Sequence, residues 1–319
     1  MNYEKKMFRT WSMIGPTGLF GVAMNELAKE NENLSVVTAD LCSFSGLERF
    51  SKEYPDRFYN VGIAEQNMLG VAAGIAKEGF NVFAGTYATF ASTRMLDQVR
   101  VNMGYMQLPV KLVGLTAGFA SGILGATHMS LEDIAIMRSI PNITILSPAD
   151  CTETMKCLEG ALNYDAPVYI RLTGTTRMPM VYKEDYEYKI GCNSILQEGK
   201  DVCILATGSM VSVAMNVSKE LLEQGIECSV INVHTIKPFN VEILEYALNA
   251  KLIVTLEEHS IIGGLGSIVA EKIVEKKEHP VLLKFGTPDK YFHAASYSHL
   301  MEMSGLTVSN IKKNILNKM

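Results

Sequence analysis

The sequence predicts an α/β protein built from two tandem parallel-sheet domains. Short β-branched apolar runs alternate with longer helical patterns along most of the chain, as in strands joined by helical crossovers. The alternation breaks once, in a polar, acidic, tyrosine-rich stretch at 174–191, and then resumes. The chain has 319 residues, 48% hydrophobic and 20% charged, which is enough material for two buried cores.

In order, the first series places strands at 34–39 (LSVVTA), 81–84 (NVFA), 109–115 (PVKLVGL), 142–146 (NITIL) and 167–172 (PVYIRL). Helices are expected at 64–78, 91–103, 131–139 and 150–163. Pro141, Pro148 and Pro167 mark boundaries, because proline lacks the amide hydrogen that helices and ladders use. The second series offers strands in VCILAT (202–207), CSVINV (228–233), LIVTLE (252–257) and PVLLKF (280–285). The expected domains are therefore residues 1–178 and 192–319, with a linker at 179–191.

Composition narrows the function classes. A net charge of -5 without a stripe of Lys and Arg argues against nucleic acid. The six cysteines include no pair at CxxC spacing, so zinc and dithiol redox chemistry are poorly supported, and all read as reduced thiols. The opening MNYEKKMFR followed by MIGPTGLFGVAM superficially resembles a signal peptide. That run is interrupted at Gly15-Pro16 and flows into the charged helical pattern NELAKENEN rather than a cleavage site. No run has the length of a membrane span. A soluble cytoplasmic protein, bound to neither membrane nor nucleic acid, is expected.

Several residues stand out as candidates, each with an ordinary reading beside the functional one. Glu65 opens a helix rich in small and apolar residues, where the macrodipole favours a first-turn glutamate. Tyr87 and Phe90 suit core packing, and His128 suits a hydrogen-bonded loop. Arg171 can pair with a carboxylate at a strand end. His259 with Gly263, Gly264 and Gly266 reads as a turn before a helix, since a short glycine cluster is weak support for phosphate binding.

Longer stretches carry more. DRFYNVGIAEQNMLGVAAGIAKEG (56–79), AGTYATF (84–90) and IPNITILSPAD (140–150) closely resemble the pyrimidine-binding domain of transketolases, particularly those split into two chains. ILATGSM, VINVHTIKPF and TLEEHSIIGGLGS resemble the C-terminal domain shared by transketolases and pyruvate dehydrogenase β-subunits. The resemblance covers nearly the whole chain in the right order. It implies a thiamine diphosphate (ThDP) pyrimidine-binding domain followed by a transketolase C-terminal domain.

The resemblance also implies roles. Glu65 matches the glutamate that hydrogen-bonds N1′ of the aminopyrimidine and favours the imino tautomer that deprotonates C2 of the thiazolium; the cofactor then supplies the carbon–carbon chemistry. Tyr87 and Phe90 match aromatics around the pyrimidine ring. His128 matches an active-site histidine that contacts the substrate oxygen and helps move protons, and Arg171 matches an arginine that grips the acceptor phosphate.

Two departures from the family pattern matter. The chain contains no GDG motif, with which the family holds Mg2+ and the cofactor diphosphate. A separate pyrophosphate-binding chain is thus expected, with a 2+2 heterotetramer as the natural assembly. Second, the family's DGxTH reads Leu124-Gly125-Ala126-Thr127-His128, so leucine replaces an aspartate that contacts a donor hydroxyl. Thr116 stands where a substrate-contacting histidine is usual, and Ile14 where an arginine meets phosphate. A hydroxyl left unpaired in a desolvated site costs roughly 1–3 kcal/mol.

The expected function is a ThDP-dependent transferase subunit of carbohydrate metabolism that moves a two-carbon unit from a ketose-like donor to an aldehyde or ketone acceptor. Decarboxylating or acyloin-forming chemistry on a 2-oxo acid such as pyruvate is the enzymatic rival, and a non-catalytic scaffold subunit is the third reading. An electron-transferring 2-oxoacid oxidoreductase fits less well, because no cysteine-rich cluster motif is present.

Overall fold

A computed structural model describes residues 3–319; the first two residues of the N-terminal stretch lie outside the described residues. Among the described residues, twelve strands fall into two sheets. The first six are β1 (Leu34–Thr38), β2 (Phe58–Asn60), β3 (Asn81–Tyr87), β4 (Lys111–Ala117), β5 (Thr144–Leu146) and β6 (Val168–Thr173). The rest are β7 (Ser194–Gln197), β8 (Val202–Ala206), β9 (Cys228–Asn232), β10 (Thr235–Lys237), β11 (Leu252–Ser260) and β12 (Val281–Thr287). The seven-stranded sheet runs β10-β5-β6-β4-β3-β1-β2, and the five-stranded sheet runs β12-β11-β8-β9-β7.

Every residue of β1, β4, β6, β8 and β9 is buried, as strands must be when helices cover both faces of a parallel sheet. This explains their mainly apolar wording, interrupted by a few buried polar residues such as Lys111 and Arg171. Each sheet departs from the expected all-parallel arrangement at one edge: β7 lies antiparallel on β9, and β10 antiparallel on β5. Both are short strands with no apolar run. Because β10 follows β9 in the chain, the second unit supplies an edge strand to the first unit's sheet.

One apolar cluster combines Leu19, Phe20 and Met24 of helix Pro16–Leu27 with Val36 and Phe83 on one face of the first sheet. Another joins Val37, Met68 and Leu112 to Cys203 and Ile231, so the core runs continuously from one unit into the other. The predicted helix at 91–103 is not regular: π-helical segments Phe90–Arg94 and Val99–Tyr105 flank a short α-helical turn, Leu96–Gln98. Such turns re-aim side chains relative to a plain α-helix.

Residues 174–193, which contain the expected linker, form no strand or helix, yet they are stitched to the first unit. Asp150 accepts hydrogen bonds from Val181 N–H (2.7 Å) and Tyr182 N–H (2.8 Å). Tyr186 donates to Glu153 at 2.8 Å and stacks on Tyr182, with ring centroids 4.1 Å apart. The stretch's tyrosines are thus internal fasteners. All six cysteines are free, and among the described residues no helix is long and apolar enough to cross a membrane.

Candidate active site

In a parallel sheet the chain leaves each strand at the carboxyl edge, and ligands bind in the crevice outside that edge. Here the loops after β2, β3 and β4 carry the candidate residues. From Asn60 the chain turns through Val61–Ala64 into helix Glu65–Lys77, with Glu65 at its first position and only 3% exposed. Tyr87 ends β3, and Phe90 opens the π-helical turn that follows. Thr116 lies near the end of β4, with Leu124 and His128 on the loop beyond.

The structure brings Tyr87, Phe90 and His128 together as three mutually edge-on rings. Centroids are 5.7 Å apart for Tyr87 and Phe90, 5.1 Å for Tyr87 and His128, and 5.3 Å for Phe90 and His128. Phe44, 43% exposed, adds a fourth ring 5.0 Å from Tyr87. Partial burial pushes the Tyr87 hydroxyl above the usual tyrosine range. His128 Nδ1 sits 3.0 Å from the Thr127 hydroxyl.

Glu65 joins this group through Arg94. The Arg94 Nη1 donates to Glu65 Oε2 at 2.8 Å, and the guanidinium carbon lies 3.9 Å from the Phe90 ring centroid. A buried carboxyl and an aromatic face therefore border one position that suits a flat group able to share a hydrogen bond with a carboxyl. An aminopyrimidine is such a group, so these residues fit the thiamine end of ThDP. When bound, the cofactor would supply the carbanion chemistry.

Beside the rings lies a cavity of about 300 Å³, lined by Ile14, Thr17, Phe44, Thr116, Ala120 and Thr175 among others. Two residues flagged by the sequence, Ile14 and Thr116, share it. Among the described residues, no lysine, arginine or histidine lines it. Thr116 adopts φ 52, an uncommon conformation for a β-branched residue, and its hydroxyl accepts from Ser121 at 2.8 Å. Leu124, 48% exposed, stands on the His128 loop in the turn Gly122–Leu124.

Arg171 requires a correction. It is fully buried, Nε donates to Asp133 Oδ2 at 2.8 Å, and Nη2 donates to the Glu258 carbonyl at 2.7 Å. Tyr169 donates to the same Asp133 oxygen at 2.8 Å. An arginine enclosed between the two units has no surface to offer a phosphate. The carboxylate-paired reading describes it.

Nearby, Glu258 accepts from Phe119 N–H (2.6 Å) across the two units, and from the Tyr297 hydroxyl (2.6 Å) and the Ser209 hydroxyl within its own. Gly118 lies so close that a Cβ there would collide with the Glu258 carboxylate, and its φ of +69 also favours glycine. The His259 segment is equally internal: Glu257 accepts from Leu265 N–H (2.7 Å) and Gly266 N–H (2.8 Å). The group at that helix N-terminus is thus the chain's own carboxyl. Burial pushes the Glu257 carboxyl up to about 7 and the His259 imidazole down to about 4.

Sequence reasoning missed Phe44, Arg94 and Ser121. The spacing of Phe90 and Arg94 offered a local hint, because residues four apart meet on a helical surface. Nothing local could tie Phe44 to Tyr87.

Fold and site together describe a ThDP-type pyrimidine domain joined to a C-terminal α/β domain, and comparison with known families agrees. Residues 14–176 match the description "Transketolase, pyrimidine binding domain" and residues 191–311 match "Transketolase, C-terminal domain". The chain belongs to the transketolase family, whose members are ThDP-dependent.

Among its relatives is a 6-deoxy-6-sulfo-D-fructose transketolase subunit of Clostridium sp. (strain MSTE9), 42% identical over 289 residues, covering 90% of this chain and 88% of that one. A split-gene transketolase solved as an inactive β4 tetramer is 37% identical, superposes with a TM-score of 0.87, and covers 96% of this chain and 98% of that one. The 1-deoxy-D-xylulose-5-phosphate synthase of Caldanaerobacter subterraneus is 35% identical over 301 residues; the match covers 94% of this chain but 48% of the synthase.

Proposed function

We propose that this chain is the pyrimidine-reading subunit of a two-chain, ThDP-dependent transketolase that moves a two-carbon unit from a ketose-like donor to an aldehyde or ketone acceptor. The observation that carries the reading is Glu65, buried at a helix N-terminus and linked through Arg94 to Phe90, which groups with Tyr87 and His128. The Glu65 carboxyl would hold a proton against the ring nitrogen N1′, in a pocket from which Phe90 and Tyr87 help exclude water. His128, edge-on to both rings, would hydrogen-bond the substrate oxygen and exchange protons with it. Mg2+ and the cofactor diphosphate would be held mainly by a partner chain carrying the pyrophosphate domain, in a 2+2 heterotetramer. Relatives named as a subunit and as a split-gene product support a partner. We place the assembly in the cytoplasm.

The donor-reading residues favour a second reading, decarboxylating or acyloin-forming transfer from a 2-oxo acid such as pyruvate. Leu124 is apolar and half-exposed, four residues before His128 on the same loop, and a methyl-bearing donor has no hydroxyl there to satisfy. The test is turnover of the co-purified two-chain complex with ThDP and Mg2+, comparing a ketose phosphate with pyruvate. Two-carbon transfer from the ketose phosphate supports the first reading; carbon dioxide release from pyruvate alone replaces it with the second. In the same assay Leu124→Asp should raise kcat/KM for polyhydroxylated donors about tenfold, the worth of one hydroxyl contact. No gain for such donors would contradict the role given to that position.

A further inference from the structure

Arg94 has no part in the scheme above, yet it makes the most specific contacts in the site. Its Nη1 donates to Glu65 Oε2 at 2.8 Å, and its guanidinium carbon lies 3.9 Å from the Phe90 ring centroid. The side chain is 44% exposed, whereas Glu65 is 3% exposed. Gln66 Nε2 donates to the Arg94 carbonyl at 3.1 Å, tying the end of the π-helical turn to the helix that bears Glu65. A guanidinium is planar, carries its donors in a fixed fork and lies readily on aromatic faces. An aminopyrimidine is also planar and also seeks an aromatic face and a carboxyl. Both groups ask for the same two partners.

We propose that Arg94 is an internal stand-in for the cofactor's aminopyrimidine. In the cofactor-free chain it compensates the buried Glu65 charge and covers Phe90, and it must swing away before the pyrimidine can take the same contacts. The inference rests on the reading that Glu65 meets the pyrimidine. Compensation matters because a buried carboxylate without a partner is costly. Release is feasible because the arginine stands at the surface, where its charge regains water as it leaves. Arg94 is thus a positioning residue. It keeps the site in shape while empty and lowers apparent cofactor affinity by the fraction of molecules in which it is seated.

The experiment is a titration of the two-chain complex with ThDP in saturating Mg2+, by calorimetry for Kd and stopped-flow fluorescence for the association and dissociation rates. Arg94→Met, with Arg94→Gln as the second variant should the first not fold, removes the stacking cation. The proposal expects Kd to tighten by about three- to tenfold, the range of an exposed cation–π contact with an ion pair. The change should appear in a faster association rate with an unaltered dissociation rate, while the melting temperature of the cofactor-free complex falls. A purely structural arginine would move only the melting temperature. Unchanged or weaker binding in a folded variant overturns the proposal, the weaker case making Arg94 a cofactor ligand. Failure of the unsubstituted, folded complex to bind ThDP at all would instead overturn the functional reading, and this inference with it.

Discussion

His234 shows what burial does to a single group in this molecule. It is 2% exposed, with its ring against Tyr188 (centroids 4.7 Å apart) and Nδ1 3.0 Å from the Thr235 hydroxyl. Desolvation pulls its pKa from 6.5 down to about 4. Between those values the unfolded chain binds a proton that the folded chain refuses. Stability from this residue is therefore complete above pH 6.5 and is lost as pH falls toward 4. Replacing His234 with Gln should make the acid-side slope of unfolding free energy shallower by up to about 1.4 kcal/mol per pH unit. Urea titrations at several pH values from 5 to 7 measure it, and an unaltered slope would show that His234 is not the group responsible. Read residue by residue, the site was partly legible in the sequence. Glu65, Tyr87, Phe90 and His128 sit in recognisable local wording. The burial of Arg171 did not show, because it depends on where the second unit packs.

At the scale of elements, the strongest device is the start of helix Cys151–Leu162. Asp150 is the N-cap, accepting from Glu153 N–H at 2.8 Å through one oxygen. Its other oxygen accepts from Val181 N–H and Tyr182 N–H, so one carboxylate caps a helix and fastens the connection between units. Asp150→Ala removes all three acceptor contacts from a residue 1% exposed and should cost about 2–4 kcal/mol, combining a lost cap with buried donors left unpaired. Chemical denaturation checks the magnitude; a loss under about 0.5 kcal/mol, the level of an ordinary surface change, would mean that water replaces the carboxylate freely. Predicted strands at 34–39, 109–115 and 167–172 overlap β1, β4 and β6 because buried parallel strands are written as near-continuous apolar runs. Elements without such runs stayed hidden. β10 has three residues, and helix Pro16–Leu27 buries eight of its twelve, leaving no polar face to mark a helical period.

Across the whole molecule the two units are not beads on a string. They share an apolar cluster, the first sheet is completed by β10, and the Arg171–Asp133 and Glu258 contacts lock the seam directly behind the loop that carries His128. The C-terminal unit therefore buttresses the site from behind. On this scaffold the proposed role of Glu65, acid–base partner to a cofactor whose diphosphate another chain holds, is what the function rests on. Its most direct test is Glu65→Gln in the complex of this chain with its pyrophosphate-domain partner, assayed with ThDP, Mg2+ and a ketose phosphate donor. The account predicts an intact complex whose two-carbon transfer falls by roughly 10²–10⁴-fold, the usual weight of a positioned acid–base group. Undiminished activity in that variant would contradict it, leaving this chain a scaffold rather than the bearer of the cofactor's acid–base partner.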